Sequence, residues 1–314
     1  MAKSNREHKL LVVMGILVLF IFSIAASCNR RHENGSVVAP YYGGVDGLVA
    51  EFQPIGKIKT GNMDEVWEDE SFPVSIHLMN KGEYDLQPHD VRLEIKGIAR
   101  SDFSGLNFEM DNSDKIEGVS EFMKDGGEEY IDFGDAHYNN LEGTYYDANL
   151  YIYFTYPYET YITIPQVCYK ENLRDDSVCD VTATKQAFAS GGPFQVGTVK
   201  ERYIGQGRIL LEIPIKNVGK GKAKAYDGDE FNAVYDEVYF QINDPDWECR
   251  SRGDPNVARI THPGGVRGNE EVIIYCTNDH LEKDALYTKA VTITLKYYYQ
   301  DYIHHVVRIR KNPE

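Results

Sequence analysis

The chain has 314 residues, 23 of them tyrosine, and a formal net charge of −16. An acidic balance of this size excludes a nucleic-acid binder, which needs clustered Lys and Arg against phosphate, and the length suits two domains that each bury a core. The charge is uneven: Lys3, Arg6, Lys9, Arg30 and Arg31 against Glu7 make the first 31 residues +4, leaving −20 on the rest.

Leu10–Asn29 is a run of 20 residues without a charge. As a helix it spans roughly 30 Å, the hydrocarbon thickness of a bilayer. Residues 1–28 therefore read as a cytoplasmic tip plus a transmembrane signal anchor. Two alternatives stay open: Ala25-Ala26-Ser27-Cys28 resembles a lipoprotein box with Cys28 as the lipidated residue, or the segment is a cleaved secretion signal. Each sends the bulk of the chain across the membrane, and Lys3, Arg6 and Lys9 favour a cytoplasmic amino terminus. Residues 29–46, with Gly35, Gly43 and Gly44, read as a flexible stalk. Asn34-Gly35-Ser36 makes Asn34 a candidate glycosylation site.

Short alternating apolar runs follow, which predict strands. Leu48–Phe52, Phe72–Met79, Val91–Ile95 and Tyr130–Phe133 come first. Asn149–Tyr156 alternates strictly, with Leu150, Ile152, Phe154 and Tyr156 on one face. Pro157–Thr160 reads as a hairpin turn before a last strand, Tyr161–Val167. A connector over residues 168–193 ends in Gly191-Gly192-Pro193. The plan then recurs in Phe194–Val199, Ile209–Lys216, Val238–Ile242, Glu271–Cys276, Val291–Tyr297 and Tyr302–Arg310, with a helical turn expected at Leu281–Leu286 and its counterpart at Leu141-Glu142-Gly143.

The recurrence holds at residue level. Val74, Ile76, Leu78, Asn80 and Gly82 match Leu211, Ile213, Ile215, Asn217 and Gly219 at an offset of 137. Val91, Leu93 and Ile95 match Val238, Phe240 and Ile242 at 147; Glu128, Glu129, Ile131 and Phe133 match Glu270, Glu271, Ile273 and Tyr275 at 142. Leu150 to Ile162 matches Val291 to Ile303 at 141. Offsets that vary only where loops absorb insertions mark a duplication. The expected fold is all-β: two tandem immunoglobulin-like antiparallel β-sandwiches, over residues 47–167 and 194–314, after one N-terminal transmembrane or signal helix.

A hydrophobic strand ending in Asn-x-Gly, then a turn and an alternating strand, is similar to the CARDB-type immunoglobulin-like repeats of prokaryotic, in particular archaeal, cell-surface proteins. Asn80-Lys81-Gly82 and Asn217-Val218-Gly219 carry the likeness. It implies adhesion, spacing or assembly in the envelope. The long segments Gly97–Gly127 and Asp244–Asn269 depart from the compact members of that family.

Besides Cys28 there are four cysteines, Cys168, Cys179, Cys249 and Cys276. An even count in an exported chain points to two disulfides. Of three pairings the local ones, Cys168–Cys179 and Cys249–Cys276, are favoured; no CxxC spacing supports the zinc alternative. No GxSxG, HExxH or phosphate-loop motif is present, so no enzyme activity and no cofactor are expected. Lys220, Lys222 and Lys224 read as a solvated loop. Adjacent on a strand, His304 and His305 face opposite sides and cannot share a metal. Asp111 and Asp114, and Asp227 and Asp229, gather hard oxygens on loops without EF-hand spacing, so solvated turns are favoured over structural calcium. Arg252-Gly253-Asp254 reads as a turn. Tyr151 and Tyr153 lie opposite the buried face of their strand and are the candidate binding face. The resulting expectation is a membrane-anchored, extracytoplasmic structural or protein-interaction module of the cell envelope, whose partners are the membrane, other envelope proteins or itself. A surface-filament subunit joined by edge strands, or a glycan- or protein-binding adhesion module, is the alternative.

Overall fold

The computed structural model describes residues 38–312, apart from 57, 61–62, 140, 173, 175–176, 206, 227, 229, 262–269 and 280. The proposed anchor Leu10–Asn29, with Cys28 and Asn34, lies outside the described residues. Among those described, no helix is long and apolar enough to cross a membrane, and the one helical element is the 3-10 turn Arg100–Asp102.

Everything else regular is β. The first repeat contains β1 Leu48–Phe52, β2 Ile58–Thr60, β3 Met63–Trp67, β4 Phe72–Asn80, β5 Arg92–Lys96, β6 Phe103–Ser104, β7 Glu109–Asp111, β8 Glu128–Tyr138 and β9 Tyr145–Lys170. The connector holds β10 Thr184–Lys185 and β11 Phe188–Ala189. The second repeat contains β12 Phe194–Val196, β13 Val199–Gly205, β14 Arg208–Asn217, β15 Lys222–Ala225, β16 Tyr235–Ile242, β17 Trp247–Arg250, β18 Val257–Thr261, β19 Val272–Asn278 and β20 Leu286–Arg310. Strand after strand buries every second residue, as period-2 alternation of aromatic and β-branched residues dictates; in β4, Phe72, Val74, Ile76 and Leu78 are all buried.

Two smaller sheets, β1-β4-β8-β6 and β10-β13-β14-β19-β17, lie one in each repeat. A third, ten-stranded sheet, β18-β16-β20-β9-β5-β7 with side branches, is shared by both. Its centre is the antiparallel pair β9 and β20, which runs from Tyr145↔Arg310 to Lys170↔Leu286 with one register shift between Val291 and Lys289. The hairpin turn expected at Pro157–Thr160 does not exist, and the strands expected at Val291–Tyr297 and Tyr302–Arg310 are one: both long strands run straight through. Tyr161 exchanges backbone and hydroxyl hydrogen bonds with Ser190 on the side away from β20, so odd positions of β9 point outward. Pro157 is one of them, and the N–H it lacks is not needed by the β20 ladder.

The repeat is visible in the registers. Leu93 faces Phe154 in β5–β9, and Phe240 faces Leu295 in β16–β20. Pro157 faces Tyr298, its own counterpart at offset 141, so a local twofold passes between them. The carboxy-terminal part of each long strand therefore pairs inside the other repeat's half of the sheet, and the expected boundary at Val167 falls within β9. One alignment shifts. Ile76 faces Ile131, and Ile213 faces Ile274; the counterpart of Ile131 is Ile274, not Ile273. Val272, Ile274 and Cys276 are buried while Tyr275 is exposed, because a one-residue slip turns a strand face over.

Other expectations change too. The residues around Leu281–Leu286 and Leu141–Gly143 form turns and bends, not helix. Lys222 and Lys224 lie on strand β15, paired with β20, rather than in a loop. The distal part of the stalk is docked: Tyr41 Oη bonds to Thr163 Oγ1 at 2.9 Å, and Gly43 N donates to Glu83 Oε1 at 2.7 Å. Both favoured disulfides are present, Cys168–Cys179 and Cys249–Cys276, the second joining residues opposed in β17 and β19.

Candidate functional site

Four tyrosines, Tyr156, Tyr158, Tyr297 and Tyr299, surround the local twofold, all buried. Their hydroxyls are hydrogen-bonded, as buried phenols require. Tyr156 Oη accepts from Leu48 N at 3.2 Å; Tyr158 Oη donates to Gly191 O at 2.8 Å. Tyr297 shares a 2.8 Å bond with Thr160 Oγ1, and Tyr299 Oη accepts from Gly221 N at 2.9 Å. Burial pushes all four phenols above their ordinary range, so they are neutral.

This junction explains the Asn-x-Gly signature. Asn80 Oδ1 accepts from Gly82 N and its amide donates to Tyr84 O and Ile116 O. Asn217 repeats this with Gly219 N and Gly221 O, and adds a 2.7 Å bond to buried Asp236. A Cβ at Gly82 would overlap the Tyr158 hydroxyl, and one at Gly219 would overlap that of Tyr299. The signature holds a turn against a tyrosine; it carries no chemistry.

The outer face of the shared sheet is where Tyr151 and Tyr153 lie, both half-buried. Tyr151 stacks on His304 at 4.2 Å between ring centroids, and Tyr153 on Tyr302 at 5.3 Å. Lys96 Nζ stands 4.9 Å over the Tyr153 ring. Cross-strand stacking turns ring faces toward each other, so the array presents edges, hydroxyls and the Lys96–Glu94 ion pair to solvent. That geometry offers hydrogen bonds to a partner and little open ring face for a sugar. Alternation made Tyr151 and Tyr153 findable; Lys96, Tyr302 and His304 join them only through strand register. As expected, His304 and His305 diverge: His304 bonds Asn149 Oδ1, and His305 bonds buried Asp64 at 3.0 Å.

The remaining candidates are held by their own chain. Asp111 bonds His89 at 2.6 Å, and Asp114 offers its carbonyl to buried Asn112. Asp227 and Asp229 lie outside the described residues. Among the described residues no three His, Cys, Asp or Glu side chains converge as a metal site would need. Arg252 and Gly253 have φ of 49° and 90° in a tight turn closed by Ser251 and Asp254, whose carboxylate accepts from Asn256 N and Val257 N. A cleft of about 590 Å3 opens beside β9, lined in part by Tyr84, Asp85, Glu117, Phe122 and Tyr161; no motif signals it.

No protein-family profile matches the chain, and no curated protein or solved structure matches it.

Proposed function

We propose that the chain is an extracytoplasmic, non-catalytic structural or protein-interaction module of the cell envelope, tethered through Leu10–Asn29. The observation that carries this reading is the pair of disulfides within a duplicated β architecture, Cys168–Cys179 and Cys249–Cys276, since such bonds persist in oxidising compartments. The central β9–β20 pair supports it by tying both repeats into one sheet, as a spacer or docking platform needs. On this reading each repeat is an immunoglobulin-like sandwich of the CARDB type. The edge strands favour a module over a filament subunit. β7, β18, β6, β10 and β17 are two to five residues long, and β7 is flanked by charge, which blunts intermolecular β-addition.

The test is location and thiol state in the native host. Protease added to intact cells should degrade the chain, the carboxy terminus should fractionate with membranes, and no free thiol should be titratable at the four cysteines. Protection from protease together with four free thiols would overturn the reading.

A further inference from the structure

The second repeat fills a position that the first leaves open. β15 pairs with Tyr297–Gln300 of β20. The offset of 141 carries those residues back to Tyr156–Glu159 of β9. There, among the described residues, the outer edge has no strand partner: β5 reaches Thr155 and β11 begins at Ile162. The chain after Gly82 turns away instead, and Leu86 bridges to Ile116. The cleft of about 590 Å3 opens next to this stretch, touching β9 at Tyr161.

Its lining mixes the aromatic and apolar side chains of Tyr84, Tyr161, Phe122 and Met123 with polar ones, among them the carboxylates of Asp85 and Glu117. Phe122 is 90% exposed, an apolar ring standing in water at the mouth. The field inside is negative: after burial itself, Glu159 is what most raises the Tyr84 phenol, and it raises that of Tyr161 too. Burial would push Asp85 up, but Lys115 and Gly118 N–H more than offset this and hold it below the usual carboxylate range. The nearby cations are engaged and outnumbered: Lys115 is shared between Asp85 at 2.7 Å and Glu117 at 3.6 Å, and Lys296 pairs with Glu159 at 3.1 Å. The outward main-chain N–H groups of this stretch reduce to that of Glu159, because Pro157 has none and Tyr161 is taken by Ser190, so side chains must supply most of the recognition. The second repeat already contains it: Lys224 Nζ of β15 lies 5.5 Å from the Phe231 ring and 5.3 Å from that of Tyr298.

We infer that this cleft receives an extended, lysine- or arginine-bearing segment of a protein partner, the cation lodging among the Tyr84 and Tyr161 rings and the Asp85 and Glu117 carboxylates while Phe122 covers its aliphatic stem. The inference rests on the interaction-module reading and gives its partner a chemistry.

The test uses the full-length chain in a mild detergent and a fluorescent peptide of alternating Lys and Ala, after Lys222-Ala223-Lys224-Ala225, against one of alternating Glu and Ala. Anisotropy should rise with the Lys peptide only. Phe122→Ala, which removes an exposed ring and leaves the core intact, should weaken binding about tenfold or more, and Asp85→Asn should weaken it and flatten its salt dependence. Tyr275→Ala, an exposed ring on β19 of the second repeat, should leave it unchanged. Equal response to both peptides, or Lys-peptide binding indifferent to Phe122→Ala, would overturn the inference, the second result meaning attraction to the net charge alone. Self-association abolished by Phe122→Ala would also overturn it, by assigning the cleft to a second copy. None of these results touches the envelope reading, which stands or falls on location and thiols.

Discussion

Replacing Gly82 by alanine tests the junction directly. The new Cβ would overlap Tyr158 Oη and lie 2.8 Å from Gly191 O and 2.9 Å from Tyr158 Cζ. None of these can retreat cheaply, because Tyr158 is buried and Gly191 N is itself bonded to Glu83 at 2.7 Å. Displacing the hydroxyl breaks its bonds to Gly191 O and Tyr84 N, at about 1–3 kcal/mol for the two, and overpacking a rigid site adds about 1–3 kcal/mol. We expect a loss of about 4 kcal/mol, or a Tm lower by about 10 °C at a few degrees per kcal/mol. Tyr158→Phe alone should cost about 1–2 kcal/mol through the lost bond. The double variant should fall short of the sum by about 1 kcal/mol or more, since removing the hydroxyl removes the main overlap. Urea unfolding followed by circular dichroism, with disulfides intact, reads all four corners of the cycle. A Gly82→Ala variant within about 0.5 kcal/mol of the parent, or strict additivity, would refute the account.

Three further outcomes follow from charge and covalent links. Burial raises the Asp301 carboxyl above its ordinary range; the folded state then holds that proton more tightly than the unfolded, so stability falls as pH rises through the folded value. Asp301→Asn should therefore raise the Tm at about pH 7 and lose this advantage below about pH 4, and a lower neutral Tm would contradict it. Asp147 is the opposite case: the bidentate Arg308 at 2.7 and 2.8 Å holds its carboxyl low, so its contribution is present at neutral pH and lost as pH drops through the folded value. Asp147→Asn should destabilise at neutral pH and be silent in strong acid; a pH-independent effect would show that the charge is not what matters. Removing Cys249–Cys276, which closes a separation of 27 residues, should cost about 3 kcal/mol by loop entropy, read as a lower urea midpoint; an unchanged midpoint would show the bond to be energetically idle.

Much of the architecture could be read from apolar alternation, because core positions repeat whatever the loops do. Among the expectations that the structure changes, two show the physical reason most clearly. Pro157 looked like a turn because proline cannot serve a central ladder, yet an outward-facing position on an open edge tolerates it. Glu128–Glu129 was matched to Glu270–Glu271 by charge, although burial, which obeys parity, sets the register of Ile131 against Ile274. At the candidate sites, Tyr151 and Tyr153 were legible by parity alone. His304 and Tyr302 became their neighbours only once β20 was known to run unbroken beside β9. The cleft has no local signal, because it arises from the absence, in one repeat, of a strand that the other possesses.

The unbroken β20 has a consequence for how the protein is made. Its last residues complete the layer that β5 and β9 began, and Val307–Arg310 also pair with Asp64–Trp67 near the opposite end of the chain. The amino-terminal half can form β1-β4-β8-β6 on its own, but its share of the large sheet waits for the final strand. In a nascent chain that edge of β9 stays open until synthesis is nearly complete, and truncation just before Tyr302 bares Tyr145–Tyr153 in the half made first.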